Sequence, residues 1–219
     1  MDAKNAWDEL DGKEVSTPTH TSTKQIKSPN IEDVAKSMLE TSDTIPNWFY
    51  SPPKSDKYFY GAGEGRDVEE AKVSALNFIA GEINTAVSSS FTKTEGYSKG
   101  SNGSDFYKSV RSKTRSEVRK INFTNIEILK TVKVNNKIYL LVRVDKQKLF
   151  NSLKTKFDMI DSKIDNEIQT SKQYSKLDQL ITLNKIKPQI QKAISLATIL
   201  NTLNPNFDVV KYTNKYNSY

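Results

Sequence analysis

Cysteine is absent from this 219-residue chain, which excludes disulfides, thiolate metal sites and a thiol nucleophile. Histidine occurs once, at His20 in a polar leader, so an imidazole-centred catalytic or metal site has little to build on. Long apolar runs are missing too: no window approaches the ~18 apolar residues of a membrane span. Mean hydropathy is −0.64, and 36% of residues are hydrophobic. Those values predict a small core carrying polar extensions. Acidic residues are outnumbered, 26 against 33 basic ones, for a formal charge of +7. Anionic partners such as nucleic acid, acidic lipid or cell-wall polymer are therefore open to the chain, beside the plainer reading of a lysine-rich soluble surface. Met1 runs straight into Asp2, Ala3, Lys4 and Asn5 with no signal-peptide core. Such a start suits either a native cytosolic terminus or an added methionine on a mature chain.

What is present centres on residues 58–83. An aromatic strand-like run, Tyr58-Phe59-Tyr60, breaks at the alternating glycines Gly61, Gly63 and Gly65, and an amphipathic helix begins at once. Asp67 and Glu70 have capping-box spacing, with Asp in place of Ser or Thr. Val68, Ala71, Ala75, Phe78, Ile79 and Ile83 recur at steps of three and four and make one apolar face. Small alanines on that face let a helix lie close to a sheet.

Ahead of this unit, residues 1–44 read as a flexible leader, with a short helix over 31–41 that Asn30 caps. The prolines of Thr44–Pro53 predict extended chain, with Trp48, Phe49 and Tyr50 clamped on the core edge. After the helix, the alternation of Asn84–Phe91 predicts a returning strand, and the Gly96–Ser104 stretch predicts a mobile loop. Asp105–Lys120 is basic with weak helical spacing. Phe123–Val134 and Ile138–Val144 predict a hairpin turning at Asn135-Asn136-Lys137, and its second arm is the most buried-looking strand. Phe150, Leu153, Phe157, Ile160 and Ile164 then form a near-heptad seam, and residues 148–203 read as a long helical hairpin that Pro188 breaks or kinks. Residues 204–219 are a polar tail in which Val209, Val210 and Tyr212 suit an edge strand.

Four constellations carry candidate chemistry. The three glycines invite a phosphate loop, but the third comes one residue early, no Gly-Lys-Ser/Thr follows, and Asp67 sits where a phosphate would bind. Close helix packing with a strand bulge is the better reading. Asp158, Asp161 and Asp165 lie at helical steps, yet without histidine or a glycine-turned loop they read as a solvated face rather than a metal site. No cofactor is expected, and no hydrolase or transferase constellation is visible. Lys108, Arg111, Lys113, Arg115, Arg119 and Lys120 form a candidate anion- or partner-binding surface against Glu117 alone. Aromatics only bracket that run, at Phe106, Tyr107 and Phe123, which disfavours a nucleic-acid groove. Phe150, Leu153, Phe157 and Ile160 form a candidate helical assembly seam.

The order of motifs also resembles a known family. Pro46-Asn47-Trp48, the Tyr58–Gly65 strand end, the alanine-rich Ala71–Ile83 and the closing Tyr139–Gln147 together resemble the Lpp-twenty lipoprotein family of bacterial outer-membrane antigens, to which the flagellar protein FlgP is similar. The resemblance covers residues 45–147. It implies an α+β fold: a dodecin-like strand–helix–strand–strand unit whose antiparallel sheet carries one packed helix, here followed by the helical hairpin. It implies a secreted envelope protein of the outer membrane or periplasm, held by an acylated N-terminal cysteine that this chain lacks, with adhesive, antigenic, virulence or motility roles and no catalytic residues. The expected partners are envelope or host proteins, a membrane reached through that anchor, and further copies of the chain. The polar leader would then act as a tether, spanning near 30 Å for about thirty flexible residues. The alternative is a cytosolic nucleic-acid-binding protein that uses residues 108–120.

Overall fold

The structure, a computed structural model, describes residues 30–95 and 104–218, with side-chain surroundings for all of these except 91–95 and 104–107. The leader through residue 29, with His20, and the glycine-rich loop at 96–103 lie outside the described residues. The elements in chain order are α1 (Ile31–Ser37), β1 (Leu39–Thr41), α2 (Asn47–Tyr50), β2 (Tyr58–Gly65), α3 (Val68–Glu95), α4 (Ser104–Arg119), β3 (Ile126–Val134), β4 (Lys137–Asp145), α5 (Lys146–Ser171), α6 (Lys176–Leu203) and α7 (Val209–Asn217). The fold is α+β, and its sheet has the order β1-β3-β4-β2. Because β1 runs parallel to β3, the sheet is mixed rather than purely antiparallel. Helix α1 stops at Ser37, and Leu39–Thr41, expected to be helical, forms that edge strand.

The glycines set the distance between β2 and α3. A Cβ built on Gly61 would lie 2.3 Å from the Ala75 carbonyl oxygen, and one on Gly63 would lie 2.2 Å from both the Ala71 oxygen and the Ala75 nitrogen. Glycine on the strand meeting alanine on the helix brings the two backbones into contact. No bulge is needed in β2, which pairs with β4 without interruption from Tyr58 to Gly65. The irregularity falls in β3 instead, between Ile128 and Lys130. Asp67 accepts from the Glu70 amide at 2.8 Å, while Glu70 reaches back to the Arg66 amide at 2.9 Å. Asp67 thus caps α3 as its spacing predicts, while Glu70 reaches one residue further back than a capping box requires.

The strand expected over Asn84–Phe91 does not exist; α3 runs through it. Ile79, Ile83 and Val87 are fully buried at four-residue steps, so the helical stripe continues. The serines and threonines that look strand-like fit the helix by bonding back one turn. Thr85 Oγ1 donates to the Gly81 carbonyl at 3.0 Å and Ser89 Oγ to the Thr85 carbonyl at 3.0 Å. Phe78, assigned to the buried face, is 42% exposed.

The β3–β4 hairpin turns through two residues, Asn135 and Asn136, not three. Asn135 has φ of 54° and Lys137 already pairs with Val134. Leu140, Val142 and Val144 point toward α3 and are essentially buried. On the other sheet face, Val132, Val134 and Tyr139 pack with Ile45, Trp48 and Phe49, the Phe49 ring standing edge-on to Tyr139 at 4.9 Å. The prolines there frame one helical turn, α2, instead of fully extended chain, and Tyr50 is 69% exposed rather than clamped.

Helices α5 and α6 pack as a hairpin, turning through Lys172–Ser175. Pro188 lies inside α6 without ending it. Asn184 and Pro188 are both exposed, so the carbonyl that lacks an amide partner faces water. Residues 209–217, expected as an edge strand, form α7. Asp208 caps it by accepting from the Lys211 amide at 3.0 Å, and Tyr212 and Tyr216 fall one turn apart toward α5. One hydrophobic cluster joins α1, α3, α4, β3, β4, α5, α6 and α7, so the C-terminal helices share the core of the sheet.

Candidate functional site

The basic run lies on α4. Lys108, Arg111, Arg115 and Arg119 are spaced three and four apart, so one stripe of the helix carries them, while Lys113 and Lys120 lie on the other flank of the helix. Lys108, Arg115, Arg119 and Lys120 are exposed, whereas Arg111 and Lys113 are half-buried. Lys108 and Arg111 both have interaction partners within the protein. The opposite face, Val110, Thr114, Glu117 and Val118, is buried against α3 and α6. Gln191 on α6 donates to Ser109 Oγ at 3.0 Å and fixes the pairing of these two helices. The structure thus gathers four of the six cations into a ridge on a firmly docked helix and leaves Lys113 and Lys120 apart from it, with the Glu117 carboxylate turned inward and Lys120 4.0 Å from it. A convex basic ridge suits electrostatic contact with an anionic surface.

The seam residues go elsewhere. Leu153 and Phe157 are buried within the chain, and Phe150 and Ile160 are half-buried beside them. Phe157 meets Phe207 edge-on at 5.7 Å and Tyr212 at 4.7 Å, and Phe150 meets Phe207 at 6.1 Å. This aromatic group joins α5 to the C-terminal segment, so much of the seam's apolar surface is already covered.

The aspartate trio is a solvated face only in part: Asp158 and Asp165 stay open to water, whereas Asp161 is largely covered. Asp158 pairs with Lys154 at 2.7 Å. Asp161 accepts from Lys215 Nζ at 2.5 Å and from the Tyr216 hydroxyl at 2.7 Å, and Asp165 accepts from the same lysine at 2.8 Å. Burial alone depresses the Lys215 pKa, but the two carboxylates more than offset it and hold the ammonium above its ordinary value. Among the described residues no three carboxylates or imidazoles are grouped to hold a metal ion. This clamp was not foreseen from sequence; the signal was Asp208 as an N-cap, which turns 209–217 helical and aims Lys215 at α5. A groove of about 530 Å³ also lies where β1 meets β3, lined by Met38, Trp48, Lys130 and Val132 among others. It rests on the edge strand that sequence reading assigned to a helix.

Comparison with known proteins places the α+β part. Residues 46–145 match the LPP20 lipoprotein family, a span that opens beside α2 and closes at the end of β4. This segment is an LPP20 lipoprotein domain. No curated protein matches the chain. Among solved structures, the secreted protein HP1454 from Helicobacter pylori is similar, at 17% identity and a TM-score of 0.46, over 74% of this chain and 60% of that one. Among the described residues, no helix is long and apolar enough to cross a membrane.

Proposed function

We propose that this protein is a non-enzymatic component of the bacterial cell envelope that works through contacts with other envelope proteins, host proteins or itself. The match of residues 46–145 to the LPP20 lipoprotein family carries this reading. That match supports a lipid-anchored setting, which we place at the outer membrane, and the adhesive, antigenic or motility roles are proposed for this chain within that setting. Its chemistry is consistent. Charged side chains with close partners are mostly tied to structure: Glu70 and Asp145 to helix caps, Arg143 to Glu127, and Lys215 to two aspartates. The exposed α4 ridge supplies a contact surface that does not require a catalytic site.

Fractionating the source bacterium and probing with antibody to this chain tests the proposal. The chain belongs in the envelope fraction, released by detergent but not by high salt. Recovery in the cytosol would contradict it. A second reading, nucleic-acid binding, is favoured only by the Lys108–Arg119 stripe. It requires duplex or single-strand binding that falls steeply with salt and weakens when Arg115 and Arg119 become glutamine.

A further inference from the structure

Helix α6 has two apolar faces, and only one is covered along its whole length. The inner face, including Ile186, Ala193 and Ile194, packs into the core. The outer face is covered by α4 from about Gln191 onward, where the Ser109 bond marks the contact. Over the first turns no element among the described residues covers it. Leu177 is 67% exposed, Leu180 58% and Ile181 57%, and Tyr174 in the preceding turn is 54% exposed. At steps of three and four these leucines and the isoleucine form a strip at the end of the helical hairpin.

The charge around the strip is predominantly positive. Lys172 and Lys176 stand at its start, and Lys185 and Lys187 one turn beyond its end, all exposed. By helical position Lys185 falls on one flank and Lys176 and Lys187 on the other. The lone acidic residue of the stretch, Asp178, is engaged by Ser175, whose hydroxyl donates to it at 2.7 Å.

A second copy of the chain is a poor occupant. Four partly exposed side chains offer on the order of 400 Å² per copy, about half of what one partner contributes to a standard interface. A twofold axis through the strip would also set lysine against lysine. An anionic bilayer fits on both counts. It is flat, so a convex apolar strip needs no matching groove, and its phosphates accept the flanking ammonium groups. A tyrosine at the turn suits the headgroup level.

We propose that the α5–α6 tip is a contact site for anionic membrane surfaces, with Tyr174, Leu177, Leu180 and Ile181 entering the headgroup boundary and Lys172, Lys176, Lys185 and Lys187 binding lipid phosphates. The site is independent of any acyl anchor and of the envelope assignment above.

Sedimentation of the full chain with vesicles tests it, using phosphatidylcholine alone and phosphatidylcholine with phosphatidylglycerol in a three-to-one ratio. The chain is expected to bind the anionic vesicles, to ignore the neutral ones and to detach with added salt. Leu180→Ser with Ile181→Ser should weaken binding by at least ~10-fold. Each of Lys176→Gln, Lys185→Gln and Lys187→Gln should weaken it roughly fivefold. These side chains are exposed, so an unchanged thermal melt confirms that each variant is folded. Arg115→Gln with Arg119→Gln on α4 should leave most of the binding in place. The proposal is overturned by absence of binding, by equal binding to neutral vesicles, by full binding of the Leu180/Ile181 variant, or by loss of binding in the α4 variant. It is also overturned if light scattering shows a dimer that the Leu180/Ile181 variant dissolves, since the strip would then be a self-contact.

Discussion

A single methyl group separates the two kinds of glycine in this protein. At Gly63 an added Cβ meets the backbone of Ala71 and Ala75, which cannot swing aside as a side chain could. Gly63→Ala should therefore cost about 3 kcal/mol, read as a lower urea midpoint. Gly81, on the open side of α3, has nothing within reach of a Cβ. Gly81→Ala should stabilise by about 0.5–1 kcal/mol, because the unfolded chain loses freedom and the helix gains a better former. If both changes had the same sign, the close strand-on-helix contact would be wrong. Lys215 sets a second test. Its folded pKa is raised, so its contribution is fully present below the unfolded lysine value and is lost as pH rises through the folded one. The unmodified chain should lose melting temperature above pH about 10.5 more steeply than Lys215→Met does, and parallel curves would contradict the clamp. Asp145 and Glu70 have lowered pKa values, from the backbone bonds of Lys148 and Arg66 respectively, so their share is present above the carboxylate range and lost as pH falls. At this scale the sequence was legible where one residue type has one use. Alternating glycines facing alanines could be read directly; Asp161 could not, because its partner lies 54 positions away.

The elements divide along the same line. Caps and short-range periodicity placed the start of α3, the hairpin arms and the two long helices, since those signals act within a few residues. The strand expected at Asn84–Phe91 failed because alternation of small polar residues satisfies either period. Ser89 and Thr85 stay helical by bonding their own backbone, while Ile83 and Val87 are held by the core. The C-terminal segment misled for the opposite reason. Val209 and Val210 favour strand locally, but Asp208 and the docking of Tyr216 select a helix. Phe157 is the hinge of that docking. Phe157→Ala should cost about 3–5 kcal/mol and loosen α7, with faster amide exchange in residues 209–217 than in β4. Uniform exchange in both regions would show that α7 is held by something other than the aromatic group. The candidate partner ridge was legible as composition, whereas its face on α4 became visible only once the helix was placed.

Across the whole molecule, the LPP20 domain and the added helices share one core. Ile186, Leu196, Ile199 and Leu200 of α6 are buried in the same cluster as Ile79 and Leu140. Ending the chain after Gln147 would uncover the faces of α3 and α4 that α6 now protects. Such a truncation should lose its cooperative thermal transition; retention of a sharp melt would mean that the domain folds without its neighbours. The helical addition therefore belongs to the body that presents the α4 ridge, and the contacts proposed for that ridge would depend on it. The central functional proposal is an envelope-held protein that acts by contact, its acyl group carried by a cysteine outside these 219 residues. The most direct test is to grow the source bacterium with a clickable fatty acid, isolate this protein by antibody and detect the label in each cell fraction. The account predicts acyl-labelled protein in the envelope fraction. Unlabelled protein confined to the cytosol would contradict it.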